Sequence, residues 1–236
     1  MKNPLKISII IPVINEERSL SGLLSYLKEH MDSRYNEIII SDGGSDDNTV
    51  EVAKNHGAQV YESPGKGRAR QMNFGARKAQ GDILYFLHSD TIPPKNFIEL
   101  ITKEIKTNYE AGCFQLKFDI DHPALRFYSW FTRFDVDVFR FGDQSLFVRK
   151  ALFQKVGGFR EDLLVMEDQE IVTRLKKHAQ FSIIDEHVVT SARKYQRFGA
   201  FRLQLIFSII VVLFYLEISQ EVIANFYKSF LRTGSD

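Results

Sequence analysis

Between residues 6 and 90, short apolar runs alternate with segments whose apolar residues return at helical spacing, and this rhythm restricts the fold most. Lys6 to Ile11 is a β-branched run, and Leu20, Leu23, Leu24 and Leu27 then fall on one helical face. Glu37-Ile38-Ile39-Ile40-Ser41 reads as a second strand, Thr49 to Asn55 as a helix and Gln59 to Glu62 as a brief strand. Asp46 and Asp47 are placed to complement the N-terminal dipole of that helix. Arg68 to Ala79 follows as a helix with the apolar stripe Ala69, Met72, Ala76 and Ala79. Gly81-Asp82 turns into Leu84-Tyr85-Phe86-Leu87-His88-Ser89-Asp90, a run that stops at Pro93-Pro94. Such alternation predicts an α/β fold with a mostly parallel central sheet flanked by helices. Right-handed crossovers bring the carboxyl ends of these strands to one edge, where open α/β sheets bind ligands.

After about residue 110 the rhythm changes. Phe114 to Ile120 alternates as a half-exposed strand does. An aromatic segment follows (Phe127, Tyr128, Trp130, Phe131, Phe134), then a strand from Ser145 to Arg149, a turn at Gly157-Gly158-Phe159 and a charged helix from Asp168 to Lys177. With no Pro- or Ser-rich linker and no repeat, residues 1–200 read as one domain in two halves, about 1–110 and 111–200. A C-terminal extension covers 201–236. It carries a C-terminal apolar helix in Leu205 to Leu216, bounded by Arg202 and Glu217. A bilayer span needs about 20 apolar residues. Contact with the domain, with a second copy of the chain or with a membrane surface through 201–230 is therefore expected in place of a crossing.

Composition excludes some classes. The 31 basic and 30 acidic side chains leave a net charge of +1, without the basic excess of a nucleic-acid binder. Cys113 stands alone, so there is no internal disulfide and no zinc pattern, and it reads as a small buried strand residue. Lys2 and Lys6 precede only Ile7 to Ile11 before Pro12, too short a run for an export signal. The expected location is the cytoplasm, extending to the inner face of the membrane if the C-terminal helix docks there.

Four acidic clusters fall at predicted strand ends or turns. In Pro12-Val13-Ile14-Asn15-Glu16-Glu17, Asn15 or Glu16 caps the next helix or faces a ligand. In Ser41-Asp42-Gly43-Gly44-Ser45-Asp46-Asp47-Asn48-Thr49, two glycines leave the backbone open to close approach, and Asp42 serves a base or ribose, or an ordinary turn. In His88-Ser89-Asp90, Asp90 has no basic sequence neighbour; it caps a helix or holds a hard cation such as Mg²⁺ or Mn²⁺, which in turn suits phosphate oxygens. In Met166-Glu167-Asp168, Asp168 is an N-cap or a base facing the cleft.

The ordered set of Pro-Val-Ile-Asn-Glu-Glu, Ser-Asp-Gly-Gly-Ser-Asp-Asp-Asn-Thr, His-Ser-Asp-Thr, Gly142-Asp143-Gln144, Gly157-Gly158-Phe159 and Glu167-Asp168 resembles family 2 of the GT-A glycosyltransferases, over about residues 6–200. Within it, Gly67-Arg68-Ala69-Arg70-Gln71-Met72-Asn73 and Gly142-Asp143-Gln144 look most like a small bacterial arsenosugar-type branch. The resemblance implies an inverting transfer from a nucleotide-diphosphate sugar to an acceptor hydroxyl, the acceptor being unknown. It makes 1–110 the nucleotide-binding half and 111–200 the acceptor and catalytic half. Pro12, Asn15 and Glu16 would border the base, and Asp42 the base and ribose; Arg70 and Ser89 would join the nucleotide site. Asp90 would hold Mg²⁺ or Mn²⁺ as the last carboxylate of an Asp-x-Asp motif whose first position is here His88. His187 would be a further metal ligand and Asp168 the general base. Arg68, Arg70 or the cluster Arg193, Lys194 and Arg197 would add phosphate donors, and Trp130, Phe131, Phe134 and Phe139 an apolar acceptor wall.

Other classes fit less well. A Rossmann dehydrogenase needs Gly-x-Gly-x-x-Gly after its first strand, and Gly65-Lys66-Gly67 has Arg70 at the third glycine position. A nucleotidyltransferase would carry a basic Gly-rich loop where the acidic one stands. A catalytically degenerate transferase acting as a membrane-associated or oligomeric partner shares the fold, but the chain keeps both Asp90 and Asp168.

Overall fold

The computed structural model describes residues 5–34 and 36–232. Lys2, which enters the export argument, and residues 233–236 of the extension lie outside the described residues. Among the described residues, β1 (Ile7–Val13), β2 (Asn36–Asp42), β3 (Gln59–Glu62), β4 (Ile83–Phe86), β5 (Thr91–Ile92), β6 (Ala111–Phe118), β7 (Leu146–Arg149) and β8 (Phe181–Thr190) form one sheet. Its order is β3-β2-β1-β4-β7-β6-β8-β5. Strands β3, β2, β1 and β4 run parallel, as do β6 and β8; β7 and β5 run against their neighbours. This is the mostly parallel α/β sheet that the alternation predicts.

Helices cover both faces because the strands are apolar on both. Along β1, Ile7, Ile9 and Ile11 point into a layer with Leu20, Leu23, Leu24 and Leu27 of α1 (Glu17–His30) and Phe97, Ile101 and Ile105 of α4 (Phe97–Lys106). Ile10 points the other way, toward Ala69, Met72 and Ala76 of α3 (Arg68–Lys78) and Ile171, Val172 and Leu175 of α7 (Glu167–Lys176). Tyr85 and Leu87 against Leu84 and Phe86 divide in the same way. A side-chain period of two on a strand buried from both sides produces this continuous apolar run. The remaining helices are α2 (Thr49–Asn55), α5 (Pro123–Trp130), α6 (Lys150–Lys155), α8 (Arg193–Phe198), α9 (Ala200–Tyr215) and α10 (Gln220–Arg232).

In α1, Gly22 has nothing within 4 Å of where a Cβ would stand. Gly22→Ala should therefore raise the unfolding free energy by about 0.5–1 kcal/mol. The measurement is the denaturant midpoint at unchanged slope, and a lowered midpoint would contradict the helix as described.

Two strands differ from expectation. The alternation over Phe114 to Ile120 predicts a half-exposed strand, yet β6 begins at Ala111, ends at Phe118 and is buried along its length except for Lys117. Both of its faces are covered by segments from elsewhere in the chain: Phe114, Leu116 and Phe118 pack in the layer that holds Leu125 of α5, and Cys113 on the other face meets Arg140. The run toward Asp90 stops pairing at Phe86, and Asp90 sits in a turn. Thr91 N–H donates to His88 O at 3.2 Å, and Ser191 N–H donates to Asp90 O at 3.1 Å. That turn is fixed from outside by the pairing of Thr91 with Thr190.

The apolar stretch near the C-terminus becomes α9, whose Leu203, Ile206 and Ile210 pack with Phe198 and with Ile223 and Phe230 of α10. Val165 and Met166, just before α7, pack on the same cluster. Leu205, Val212 and Leu216 face outward. Among the described residues, no helix is long and apolar enough to cross a membrane.

Candidate active site

The parallel register sets Val13 opposite Asp42, so the ends of β1 and β2 open at one edge, with Pro12 opposite Ser41. Pro12 has no N–H to offer; it is tolerated because β4 pairs only with Ile7 to Ile10. Buried Gln71 of α3 ties the two tips together, donating from Nε2 to Val13 O at 2.7 Å and to Ser41 O at 2.9 Å. The buried Asp42 carboxylate accepts from the N–H groups of Gly44 and Ser45, each at 3.0 Å, and from Ser45 Oγ at 2.5 Å. It thereby fixes the glycine turn. Asn15 does not cap α1: it takes a left-handed φ of 55° and accepts from Asp46 N–H at 2.9 Å. Glu16 N–H donates to Thr49 Oγ1 at 2.8 Å. The first two acidic clusters are one interlocked loop pair.

The β4–β5 turn supplies Ser89, which is buried, and Asp90, which is half-buried. Asp90 lacks a basic neighbour in sequence, but the fold brings one. Arg193, at the start of α8, lies 3.7 Å from Asp90 and 3.8 Å from Glu16. Burial raises the Asp90 pKa, and the charges of Asp143 and Glu16 add to it. This is a position that favours a cation. His187 is not part of it. It is exposed on β8 opposite Gln115, three residues before the Thr190 that pairs with Thr91, hence about 10 Å along the strand. The register shift between Phe114 and Gln115 decides which way this stretch of β8 faces. Among the described residues, no group of three His, Cys, Asp or Glu side chains is arranged to hold a metal ion. The expectation of His187 as a further metal ligand gains no support from this placement.

The third and fourth acidic clusters meet through Gly142 and Asp143. His88 Nδ1 and Asp143 Oδ1 are 2.9 Å apart. Despite desolvation, the His88 contact pulls the Asp143 carboxyl down to about 2, so the imidazole is the donor. Arg68 of α3 reaches Glu167 Oε1 at 2.5 Å and Asp168 Oδ2 at 3.4 Å. Burial lifts the Asp168 carboxyl to about 6, against the opposing pull of Arg68. Asp168 is therefore a sheltered base near neutral pH, a property typical of functional carboxylates. Met166, which precedes this pair, takes a left-handed φ of 68°, a strained conformation for such a side chain. A Cβ on Gly142 would lie 2.2 Å from Asp168 Oδ2 and 2.8 Å from His88 Cε1. Only the absence of a side chain at 142 lets both clusters pack this closely on it.

Arg70 turns elsewhere, pairing with Glu161 at 3.3 Å. The arginine of α3 that joins the acidic cluster is Arg68. Phe131 and Phe139 line a cavity of about 430 Å³ into which Asp168 opens, whereas Trp130 and Phe134 are exposed and line no part of it. Sequence reasoning gave no role to Asp143, Glu167 or Gln71. The only signal for Asp143 was its place in Gly142-Asp143-Gln144.

Residues 8–158 match the family model described as Glycosyl transferase family 2. The chain is 23% identical over 206 residues to a probable glycosyltransferase of Bacillus subtilis, covering 74% of this chain and 47% of that protein. It is 32% identical over 107 residues to the glucosyl-3-phosphoglycerate synthase of Petrotoga mobilis, covering 40% of this chain and 33% of that one. The chain thus spans less than half the length of these curated relatives. Among solved structures, a mannosyltransferase from Pyrobaculum calidifontis in complex with GDP-Man and Mn²⁺ superposes with a TM-score of 0.71 at 16% identity, over 90% of this chain and 63% of that one. Glucosyl-3-phosphoglycerate synthase from Mycobacterium tuberculosis, in complex with Mn²⁺, UDP and glucosyl-3-phosphoglycerate, gives 0.62 at 18% identity, over 90% of this chain and 80% of that one. These likenesses establish the GT-A type of α/β fold, and with the family match the conclusion follows: the chain belongs to glycosyl transferase family 2.

Proposed function

We propose that this chain is an inverting glycosyltransferase that moves a sugar from a nucleotide-diphosphate donor to an acceptor hydroxyl. Residues 1–200 would carry the reaction, with 201–236 as an extension. The observation that supports this most is the packing of Gly142 against both His88 and Asp168, which brings the turn bearing Asp90 near the half-buried Asp168 carboxylate of α7. The finer placement in the small arsenosugar-type branch rests on Gly67 to Asn73 and Gly142 to Gln144, and belongs to the proposal.

The open tips of β1 and β2 (Pro12, Asn15, Glu16, Asp42) would border base and ribose, with Ser89 beside the phosphates. Arg70 would join them only by leaving Glu161. Mg²⁺ is commonly bound through one or two carboxylates plus substrate phosphates. Asp90 fits that donor set, since burial and neighbouring carboxylates already make it favour a cation. Asp90 would hold Mg²⁺ or Mn²⁺, the phosphates completing the shell; His187 is not proposed. When bound, the ion supplies Lewis-acid stabilisation of the departing diphosphate.

The chain's own residues do the rest. Arg193 and Lys194 would donate to phosphate oxygens. Asp168 would take the acceptor's proton, and attack on the sugar face opposite the leaving group inverts the anomeric centre, as in inverting glycosidases. Arg68, 3.4 Å away, favours the ionised form that a base requires.

A base must be ionised, and Asp168 is lifted to about 6. Turnover should therefore rise with pH through about 6, level off above 7 and stand about tenfold below the plateau at pH 5. A flat profile from pH 5 to 8 would contradict Asp168 as the base. The direct test of function is nucleoside diphosphate release from GDP-mannose and UDP-GlcNAc with Mn²⁺. The two donors are those named with solved relatives of the same fold. Release from neither, across a panel of acceptors, would count against transfer.

A further inference from the structure

We propose that the acceptor carries an extended apolar body, seated under the C-terminal helices with its hydroxyl at Asp168. This rests on Asp168 being the base of the transfer. The cavity of about 430 Å³ is in the size range of small-molecule sites. Its charged lining includes Arg68, Asp143 and Asp168, which belong to the cluster already described. Phe118, Phe131, Phe139, Phe207, Val211 and Tyr227 make up much of the remaining wall. That apolar part of the wall offers little hydrogen bonding to the several hydroxyls of a free sugar, the remaining polar lining being Lys194, Tyr195, Gln204, Ser208 and their neighbours, and burying hydroxyls against it without partners is unfavourable. An alkyl, isoprenoid or aryl body matches it, leaving one polar end for the carboxylate.

The roof has a consistent design. Leu203, Ile206 and Ile210 anchor α9 to α10, and Val165 and Met166, just before Glu167 and Asp168, pack on the same cluster. Phe207, Ile210 and Val211 of α9 line the cavity, Phe207 and Ile210 also packing on that cluster. The extension thus forms part of the chamber that reaches Asp168. Arg140, fully buried in the wall, donates to Thr132 O at 2.8 Å and to Phe134 O, so backbone carbonyls satisfy part of this cation.

The probes are methyl β-glucoside and octyl β-glucoside below its micelle concentration, titrated by calorimetry into the full chain with Mn²⁺ and a stabilising nucleoside diphosphate. Each buried methylene is worth about three- to fourfold in affinity, so the octyl compound should bind at least about 30-fold more tightly. Ser208→Trp should abolish that preference, because Ser208 lines the cavity yet is exposed enough to accept a large ring. Val212→Trp, on the outer face of α9, should keep it. Equal binding of the two glucosides, with the nucleotide still bound, would overturn the proposal and leave the transferase reading intact. No nucleotide binding at all would remove that reading and this proposal with it. Dodecyl β-glucoside in phosphatidylcholine vesicles, compared with the free octyl compound, separates the sources. Given the octyl preference, tighter binding of the vesicle-borne compound means a membrane supplies the apolar body, and equal binding means a free amphiphile does; either outcome then sustains the proposal.

Discussion

Asp168→Asn should lower turnover by about 10² to 10⁴, the usual worth of general-base assistance, while leaving nucleotide affinity within about twofold. The substitution keeps the shape of the side chain and removes only its capacity to take a proton. Arg68 retains Glu167 at 2.5 Å, so the local packing has a second anchor. A fall in kcat with the donor KM unchanged would mark an interaction made only in the transition state. The pH limb near 6 should vanish with the carboxylate. A variant with turnover near wild type would move the base elsewhere, Glu167 being the neighbour to examine first. Loss of nucleotide binding alongside turnover would instead give Asp168 a positioning role.

Gly142→Ala should be almost as damaging, although residue 142 has no side chain to take part in chemistry. A methyl group there would stand 2.2 Å from Asp168 Oδ2, so carboxylate, imidazole or backbone has to yield. A displacement of about 1 Å in a reacting group costs about 10²-fold. The expected result is a drop of that order in kcat, with the unfolding midpoint lowered by only a few degrees. Gly22→Ala provides the contrast, since space is open there and only stability changes. Turnover unaffected by Gly142→Ala would mean that the close packing of Asp168 and His88 on Gly142 is not used in catalysis.

Much of the fold was legible because side-chain period is a local property. The opposed faces of Ile9 and Ile10, and the stripe at Leu20, Leu23, Leu24 and Leu27, follow from position in the chain alone. Burial of a strand is not local, and the exposure of β6 is not readable from its alternation because its faces are covered by α5 and by the segment bearing Arg140. The acidic clusters were visible as residues at strand ends, but their partners were not. Arg193 meets Asp90 and Glu16, and Asp143 meets His88, only once distant segments fold together. The distance of His187 from the Asp90 turn likewise depends on how β8 pairs with β5 and β6, which no local pattern displays. The face of α9 that turns inward was also hidden, because a helix apolar all round carries no stripe to read.

The proposed function requires a metal-assisted nucleotide site at the β4–β5 turn. It is tested most directly by thermal unfolding of the wild type and of Asp90→Ala against UDP, GDP, CDP and dTDP, each with and without Mn²⁺. At 100 times its Kd a nucleotide adds about 2.7 kcal/mol, which for a chain of this size is a shift of about 5–10 °C. The account predicts that at least one nucleotide stabilises the wild type, more with Mn²⁺ than without, and that Asp90→Ala loses the metal-dependent part. No shift with any nucleotide, or an equal shift in Asp90→Ala with Mn²⁺, would contradict it.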